Sequence, residues 1–305
     1  MKKLNDIITA TLPHMPQRLV WVFSKKYIAG VTAADAVAAA RAINGQGVKF
    51  TLDILGEFIS SLSEARVNKA DYIALINTVE KEKLDGNYSL KPTMFGLLID
   101  PAACYRYVRE IVATAAAFGN FIRIDMEDSQ CVDLEIELFR KLKAEFPADV
   151  GLVVQAYLKR TRRDIIDLMD LHSPEIPLNL RLCKGIYTEP PEIAFQAYRE
   201  INAHFLEDLE LMLENGVYPS IATHDKPLVT GATQLLEKYY TPVDRYEFQM
   251  LYGVTPDLRQ SIVAGGHTMR VYVPFGKEWF GYSTRRLKEN PKIAGHIIKA
   301  LFLRG

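Results

Sequence analysis

Short apolar runs recur along the chain from residue 48 onward, and longer stretches with helical spacing of apolar residues lie between them. The runs are rich in β-branched, aromatic and leucine residues, which is typical of β-strands. They cover residues 48–54, 88–93, 121–127, 150–157, 178–184, 218–224, 246–252 and 268–273. The helical stretches include residues 101–118, 131–146 and 190–215. Eight strands that alternate with helices predict an α/β fold, a (β/α)8 or TIM-like barrel, with a doubly wound open sheet as the structural alternative.

The first 47 residues precede this alternation and have the pattern of helices. Residues 33–43 are the clearest case, with Thr32 in the position of an N-cap and Gly45 and Gly47 at the end. No linker rich in proline, glycine or serine divides the chain. We therefore predict a single domain overall, in which an N-terminal helical segment (1–47) precedes the barrel (48–305).

One face of many predicted strands is polar. Side chains alternate between the two faces of a strand, so Phe50 and Leu52 share one face while Thr51 and Asp53 share the other. Because the apolar face can pack on the helices, we expect the polar face to point into the barrel, where isolated charges are costly. The charged residues must then pair with each other as a structural network or face a polar ligand. They are Lys49, Asp53, Lys91, Arg123, Asp125, Arg181, Glu247 and Arg270.

Composition and charge narrow the possible classes of protein. With 49% hydrophobic residues, the 305-residue chain can bury a core. It holds 37 basic and 37 acidic residues, so it has no net charge and nucleic acid is not an expected partner. No apolar run approaches the ~18 residues of a membrane-spanning helix, and no signal peptide is expected. Three scattered cysteines fit a reducing cytoplasm and predict neither disulfides nor a metal site.

The common nucleotide and catalytic motifs are absent from the sequence. It contains no P-loop, HExxH, CxxC or GxSxG. Gly45 and Gly47 do not begin a dinucleotide fingerprint, because Phe50 stands where the third glycine belongs and the pair precedes a strand. Any nucleotide cofactor is therefore expected to bind without the glycine-rich Rossmann motif.

Polar residues instead cluster where the predicted strands end, which is the face that carries the active sites of barrel enzymes. Taken singly, each has a structural explanation, such as a solvated lysine, a helix cap or a basic helix face. Their recurrence at one end of successive strands favours a functional site. The residues are Lys91, Asp125, Gln155, Arg181, Lys184, Thr223, His224, Gln249 and Tyr272, followed by Arg285, Arg286 and Glu289 beyond the last strand.

The same residues carry a resemblance to a known family. In order, the chain contains LDILGE, SLKPT, RIDMED, QAYLKR, RLCKGIY, ATHD, EFQMLYG, RVYVPFG and YSTRRLKENP, over roughly residues 48–291. This ordered set resembles the FAD-dependent proline dehydrogenases in their monofunctional bacterial form. The resemblance implies a distorted barrel with FAD across its carboxyl-terminal face and a last helix, at about 277–289, over the barrel mouth. It also implies oxidation of L-proline to Δ1-pyrroline-5-carboxylate, with electrons passed to a membrane quinone.

The resemblance further implies a role for each residue. Arg181 would lie beside flavin N5 and Gln155 at the pyrimidine edge, with the rest of FAD held by Lys184, Gly185, Thr223, His224, Gln249 and Glu289. The proline carboxylate would be bound by Lys91, Arg285 and Arg286. Asp125 would organise Lys91 and also border the cofactor, and Tyr272 would pack on the substrate ring. Glu57 would close the site as a gate, through an ion pair with one of the two arginines.

Other functions remain open from the residues alone. A Schiff-base lyase on the same barrel could use Lys91 or Lys184 as nucleophile, with Asp125 or His224 for proton transfer. A barrel that binds an amino acid without turnover is a non-enzymatic alternative. Because no second catalytic domain fits in 305 residues, a separate pyrroline-5-carboxylate dehydrogenase is the expected next enzyme. The segment after Val271 is basic, with eight Lys/Arg and two Asp/Glu from Arg270 to Gly305 and an apolar stretch at 293–303, and it could contact the inner face of the membrane or pack on the barrel.

Overall fold

Eight parallel strands form a closed barrel in chain order, with β8 paired to β1. In this computed structural model, residues 17–289 are described, without the side chains of residues 18, 19, 22, 23 and 285–289. The strands are β1 Lys49–Ile54, β2 Gly86–Leu90, β3 Ile122–Ile124, β4 Val150–Gln155, β5 Asn179–Cys183, β6 Tyr218–Ala222, β7 Glu247–Leu251 and β8 Met269–Phe275. The predicted barrel is confirmed, and the open sheet is wrong because β1 and β8 pair along six residues.

Helices surround the barrel, and two precede it. They are α1 Gln17–Ser24, α2 Ala33–Asn44, α3 Leu62–Lys81, α4 Pro101–Ala116, α5 Val132–Glu145, α6 Thr161–Leu168, α7 Tyr198–Glu214, α8 Lys226–Lys238, α9 Pro256–Ala264 and α10 Trp279–Glu289. Short 3-10 turns lie at Pro92–Phe95 and Met169–Leu171.

Local sequence explains where these helices begin. Thr32 caps α2 as predicted: its hydroxyl accepts from the Asp35 N–H while the Asp35 carboxylate accepts from the Thr32 N–H. The helix predicted from residue 190 begins only at Tyr198. Residues before it pair instead with the loop after β4, where the Phe195 N–H donates to the Tyr157 carbonyl at 2.8 Å. Tertiary pairing overrides the helical pattern there.

The apolar and polar strand faces lie as the alternation predicts. Phe50 and Leu52 are fully buried against the helices, whereas Arg123 from β3 extends through the barrel interior. Its guanidinium donates to Asn179 Oδ1 at 2.5 Å and to Ser220 Oγ at 3.1 Å, on β5 and β6. Gly151 makes this possible, since a Cβ there would lie 2.5 Å from Arg123 Nη1. The barrel interior is thus filled by polar side chains.

Most of the interior charges pair with each other. Asp53 accepts from Lys91 at 3.1 Å, and Glu247 accepts from Arg270 at 2.8 Å. Lys49 does not point inside as expected. Its side chain is 42% exposed at the amino end of β1 and lies 3.5 Å from the Asp85 carboxylate.

Helix α10 follows the last strand and packs on α1. The rings of Trp21 and Trp279 meet edge to face with centroids 4.7 Å apart, and Tyr282 joins Ile28 and Leu55 in a small separate core. No helix among the described residues is long and apolar enough to span a membrane. The segment 293–303 lies outside the described residues.

Candidate active site

A cavity of about 510 Å³ lies at the carboxyl-terminal ends of the strands. Its size is within the range of small-molecule sites. The structure brings ten of the predicted site residues to its wall: Lys91, Asp125, Gln155, Arg181, Lys184, Gly185, Thr223, His224, Gln249 and Tyr272. Arg285, Arg286 and Glu289 belong to α10, and their side chains lie outside the described part of the structure.

The carboxylate of Asp125 lies at the centre of the charged groups in this cavity. Its Oδ1 accepts from Arg181 Nη1 at 2.8 Å and from Ser89 Oγ at 2.5 Å. Its Oδ2 accepts from the Tyr272 hydroxyl at 2.8 Å and lies 3.8 Å from Lys91 Nζ. One carboxylate therefore orients three side chains that come from different strands.

Lys91 follows β2 and lies between two carboxylates. Its Nζ donates to both oxygens of Asp53, at 3.1 and 3.3 Å, and lies near Asp125. Burial alone would lower the pKa of Lys91, but Asp53 and Asp125 raise it above its usual value. A Schiff-base lysine needs the opposite shift, toward a neutral amine. The site therefore favours Lys91 as a permanent cation over Lys91 as a nucleophile.

Asp53 is completely buried beneath Lys91. Burial raises the pKa of Asp53 to about 6, although the Lys91 ammonium opposes that rise. The carboxylate is thus stabilised as an anion mainly by Lys91, and the two residues depend on each other.

Arg181 extends from β5 toward the same centre. Its Nε donates to Gln249 Oε1 at 2.5 Å, and its guanidinium lies over the Tyr272 ring with 5.1 Å from Cζ to the centroid. Its Nη2 is buried and has no hydrogen-bond partner among the described residues. Since Arg181 lines the cavity, its wall contains a cation whose hydrogen bonds are not all made within the protein.

The other end of the cavity is formed by loops after β5 and β6. Lys184 Nζ donates to Asp225 at 2.5 Å and lies 4.4 Å from the centroid of the Tyr198 ring. His224 Nε2 accepts from the Leu251 N–H at 3.1 Å, which leaves Nδ1 to donate to Thr255 Oγ1 at 3.3 Å. Both candidate cofactor residues are therefore held by neighbouring loops.

Gly185 must be glycine in this arrangement. Its φ of +103° is rarely adopted by other residues, and a Cβ there would lie 2.1 Å from the Tyr157 ring. Glycine is therefore needed here to leave room for the Tyr157 ring, and residue 185 lines the cavity with its backbone alone.

A family model described as proline dehydrogenase matches residues 36–298 of the chain. The chain belongs to the proline dehydrogenase family. Proline dehydrogenase 1 of Bacillus subtilis (strain 168) is 34% identical over 278 residues, which cover 91% of this chain and 90% of that protein. The proline dehydrogenase of Deinococcus radiodurans is 32% identical over 291 residues, with 94% and 92% covered. The resemblance to the monofunctional bacterial form is thus confirmed.

A solved structure shares the fold of this proline dehydrogenase family member. Proline utilization A from Bdellovibrio bacteriovorus, inactivated by N-propargylglycine, matches with a TM-score of 0.81 and 27% sequence identity. The match covers 88% of this chain and 32% of that one, so the chain corresponds to about a third of the length of that protein.

A second cavity of about 480 Å³ adjoins the first in this family member. Glu57 lies in its wall, on the loop after β1, and Lys91 and Tyr282 line both cavities. The structure therefore places the predicted gate residue beside Lys91. Its predicted arginine partners lie outside the described side chains, so the ion pair stays a prediction.

Sequence reasoning missed two residues that complete the site. Asp53 was included among the inward charges but not among the candidate site residues, and Ser89 was not singled out. Ser89 Oγ contacts both Asp125 and Arg181. Both residues are fully buried and lie on the polar face of their strands, a signal that the alternation already contained.

A further buried carboxylate next to the site gives a prediction for pH dependence. Glu127 follows β3, accepts from the Thr93 N–H at 2.9 Å and the Thr93 hydroxyl at 2.6 Å, and has its pKa raised by burial to about 7. Because the pKa of Glu127 is about 7 in the folded state and near 4.5 in the unfolded state, the folded state binds the proton more tightly. The stability that this gives is fully present below pH 4.5 and is lost as the pH rises through 7. We expect a loss of about 3 kcal/mol between these limits.

The change Glu127→Gln keeps one oxygen to accept from the Thr93 N–H, turns an amide N–H toward the Thr93 hydroxyl, and removes the titration. Urea unfolding at pH 5 and pH 8 should therefore show a smaller difference in unfolding free energy for the variant than for the wild type. Glu137→Gln, which alters an exposed carboxylate paired with Lys141, is the matched control and should keep the wild-type difference. Equal differences in all three proteins would contradict the assignment.

Proposed function

We propose that this protein oxidises L-proline to Δ1-pyrroline-5-carboxylate, with FAD as cofactor and a membrane quinone as electron acceptor. The observation that carries the proposal is a cavity, in a proline dehydrogenase family member, whose wall contains two largely buried cations that share one carboxylate, Asp125. Lys91 is fixed by two carboxylates, and Arg181 has an unsatisfied N–H group. An amino-acid carboxylate and an electron-rich cofactor atom are the partners that such groups bind best.

The residues present fit a flavin. The Arg181 guanidinium in the cavity wall is incompletely paired, and we propose that it lies beside flavin N5. Gln155, whose Nε2 donates to the Glu127 carbonyl at 2.8 Å, is held in place for the pyrimidine edge. Gly185 offers bare backbone, while Lys184, His224, Thr223 and Gln249 supply polar groups for the rest of FAD. We propose Glu289 as a further contact to FAD. Bound FAD would supply the acceptor for the hydride that leaves C5 of proline.

The chain itself binds and orients the substrate. Lys91 would bind the proline carboxylate, and Asp53 and Asp125 keep its ammonium in place. The Tyr272 ring, fixed through its hydroxyl on Asp125, would pack on the pyrrolidine ring. Orientation of this kind supplies much of the rate in a reaction between two bound partners.

The proposal is tested by the colour of the purified protein and by its response to substrate. We expect a yellow protein whose visible flavin absorption bleaches when L-proline is added without oxygen, and recovers when a quinone analogue follows. A colourless protein that forms a borohydride-trapped adduct would instead support the Schiff-base lyase. Proline binding to a colourless protein without turnover would support the sensor alternative.

Two further cations are proposed for the carboxylate site. Neighbouring residues on a helix point about 100° apart, so Arg285 and Arg286 of α10 can approach a small anion from two sides. Arg286→Met should raise the KM for L-proline at least tenfold, because a charge-assisted hydrogen bond contributes about 1.5–3 kcal/mol. Arg286→Lys should also be impaired, since lysine lacks the planar fork.

Steady-state kinetics with varied proline and a fixed quinone analogue measure this effect. The flavin-to-protein absorbance ratio should change little, because the proposed cofactor contacts remain. A normal KM in both Arg285→Met and Arg286→Met would remove the arginines from the site. We also propose that Glu57 pairs with one of them when substrate is bound, which would exclude water from the reaction.

The place of the protein in the cell is part of the same proposal. A quinone acceptor lies in the membrane, so we propose a cytoplasmic protein that contacts the inner face of the membrane peripherally. The product would pass to a separate pyrroline-5-carboxylate dehydrogenase. Flotation with anionic liposomes, comparing the full chain with one ending at Asn290, tests the membrane contact.

A further inference from the structure

A chain of hydrogen bonds connects the barrel interior to Arg181. Glu247 Oε1 accepts from Gln249 Nε2 at 2.5 Å, and Gln249 Oε1 accepts from Arg181 Nε at 2.5 Å. All three residues are buried. We propose that Glu247 is a positioning residue, which orients the Gln249 carboxamide so that its oxygen holds the Arg181 guanidinium at the cavity wall.

The direction of this chain follows from the chemistry of its ends. A guanidinium can only donate, and an ionised carboxylate can only accept. A carboxamide between them must turn its nitrogen to Glu247 and its oxygen to Arg181. The reverse orientation would place two donors against each other at Arg181 and two acceptors at Glu247. Glu247 and Arg181 therefore favour the same orientation of Gln249, and Glu247 holds the carboxamide at its nitrogen end.

Glu247 is itself held firmly in the ionised form. Arg270 Nε donates to both of its oxygens, at 2.8 and 3.0 Å, and Arg270 Nη1 donates to the Phe50 carbonyl at 2.9 Å. Burial opposes ionisation, but Arg270 and the bond from Gln249 hold the pKa of Glu247 at about 2. The orientation of Gln249 is thus fixed across the pH range in which the protein is folded.

A simpler role for Glu247 is to neutralise Arg270 within the barrel. The two roles differ in what a glutamine at position 247 can do. Glutamine has no charge for Arg270, but its carbonyl oxygen can still accept from Gln249 at the place of Oε1. Methionine offers neither. A positioning role therefore predicts that Glu247→Gln resembles the wild type, whereas charge neutralisation predicts that Glu247→Gln and Glu247→Met are equally impaired.

Two readouts separate these outcomes. The first is the Arg181 Nε–H resonance in NMR spectra of the apoprotein, which is assigned by its loss in Arg181→Lys. The exchange of this hydrogen with solvent is slow while Gln249 accepts from the N–H group. The second, which rests on the proposed function, is the dissociation constant for FAD, measured by quenching of flavin fluorescence. We expect faster exchange and a dissociation constant raised about tenfold in Glu247→Met, with a change below about twofold in Glu247→Gln.

Controls keep the test decisive. Ser220→Ala removes the long 3.4 Å bond to Glu247 Oε1 and the 3.1 Å bond from Arg123, but it leaves the chain to Arg181 and should behave as the wild type in both readouts. If Glu247→Met does not fold, the double variant Glu247→Met with Arg270→Met removes the unpaired buried charge and should show the same defect. If the wild type binds no FAD, the proposed function fails while the resonance still decides the inference. Equal exchange rates in the wild type and the methionine variants would overturn it.

Discussion

Replacing Lys91 by methionine is expected to raise the KM for L-proline by at least an order of magnitude and to destabilise the fold by about 3 kcal/mol. The first effect follows because Lys91 is the described cation proposed to bind the substrate carboxylate. The second follows because Asp53, which is fully buried, would lose the ammonium that lies 3.1 Å away. Steady-state kinetics and urea unfolding measure the two effects separately.

A second substitution separates binding from stability. Adding Asp53→Asn to Lys91→Met removes the buried charge, so unfolding free energy should return toward the wild-type value while the KM stays high. If the double variant also recovered a normal KM, Lys91 would act only as the counterion of Asp53. If the single variant were as stable as the wild type, the mutual dependence of the two residues would be wrong.

The architecture was accessible from the sequence because barrel strands carry a strong local signal. All eight predicted runs overlap the observed strands, and the alternation in residues such as Phe50, Thr51, Leu52 and Asp53 correctly separated the helix-facing side from the interior. Boundaries were less accurate. β3 has only three residues, although the Asp125 N–H just beyond it still donates to the Leu90 carbonyl of β2 at 2.9 Å.

Which interior side chains pair with each other could not be predicted from the sequence. Tyr272 of β8 donates to Asp125, which follows β3, and Arg181 of β5 also reaches Asp125. These residues are not neighbours in the sheet and meet only because the barrel closes through β8 and β1. Which inward groups meet depends on the barrel diameter and the reach of each side chain, and neither is visible in strand phase. The bond between Glu247 and Gln249 lies on one strand and could have been found from their i, i+2 spacing.

The chemical role of Lys91 also depends on its tertiary contacts. From the residues alone, Lys91 could be a nucleophile or a cation, since the sequence does not show how many carboxylates surround it. The structure shows Asp53 and Asp125 on either side, and together they raise the pKa of Lys91. The choice between lyase and oxidoreductase thus depends on tertiary contacts that no motif contains.

Arg181→Lys is expected to lower kcat with L-proline by about 10²-fold or more. Lysine retains the positive charge, but its single nitrogen cannot contact Gln249, Ser89 and Asp125 together and still present a donor to the cavity. A cation at this position would stabilise the negative charge that a flavin gains on reduction. The flavin midpoint potential of the variant should therefore become more negative.

Spectroelectrochemical titration and stopped-flow reduction by L-proline measure the two quantities. The matched control is Arg123→Lys, which alters another buried arginine of the barrel interior. Arg123 donates to Leu152, Asn179 and Ser220, and none of these three residues lines the cavity. That variant should lose stability but keep the wild-type potential and reduction rate. If Arg181→Lys changed neither quantity while Arg123→Lys changed both, the charge that acts on the cofactor would have to come from elsewhere in the barrel, and the assignment of Arg181 to flavin N5 would be wrong.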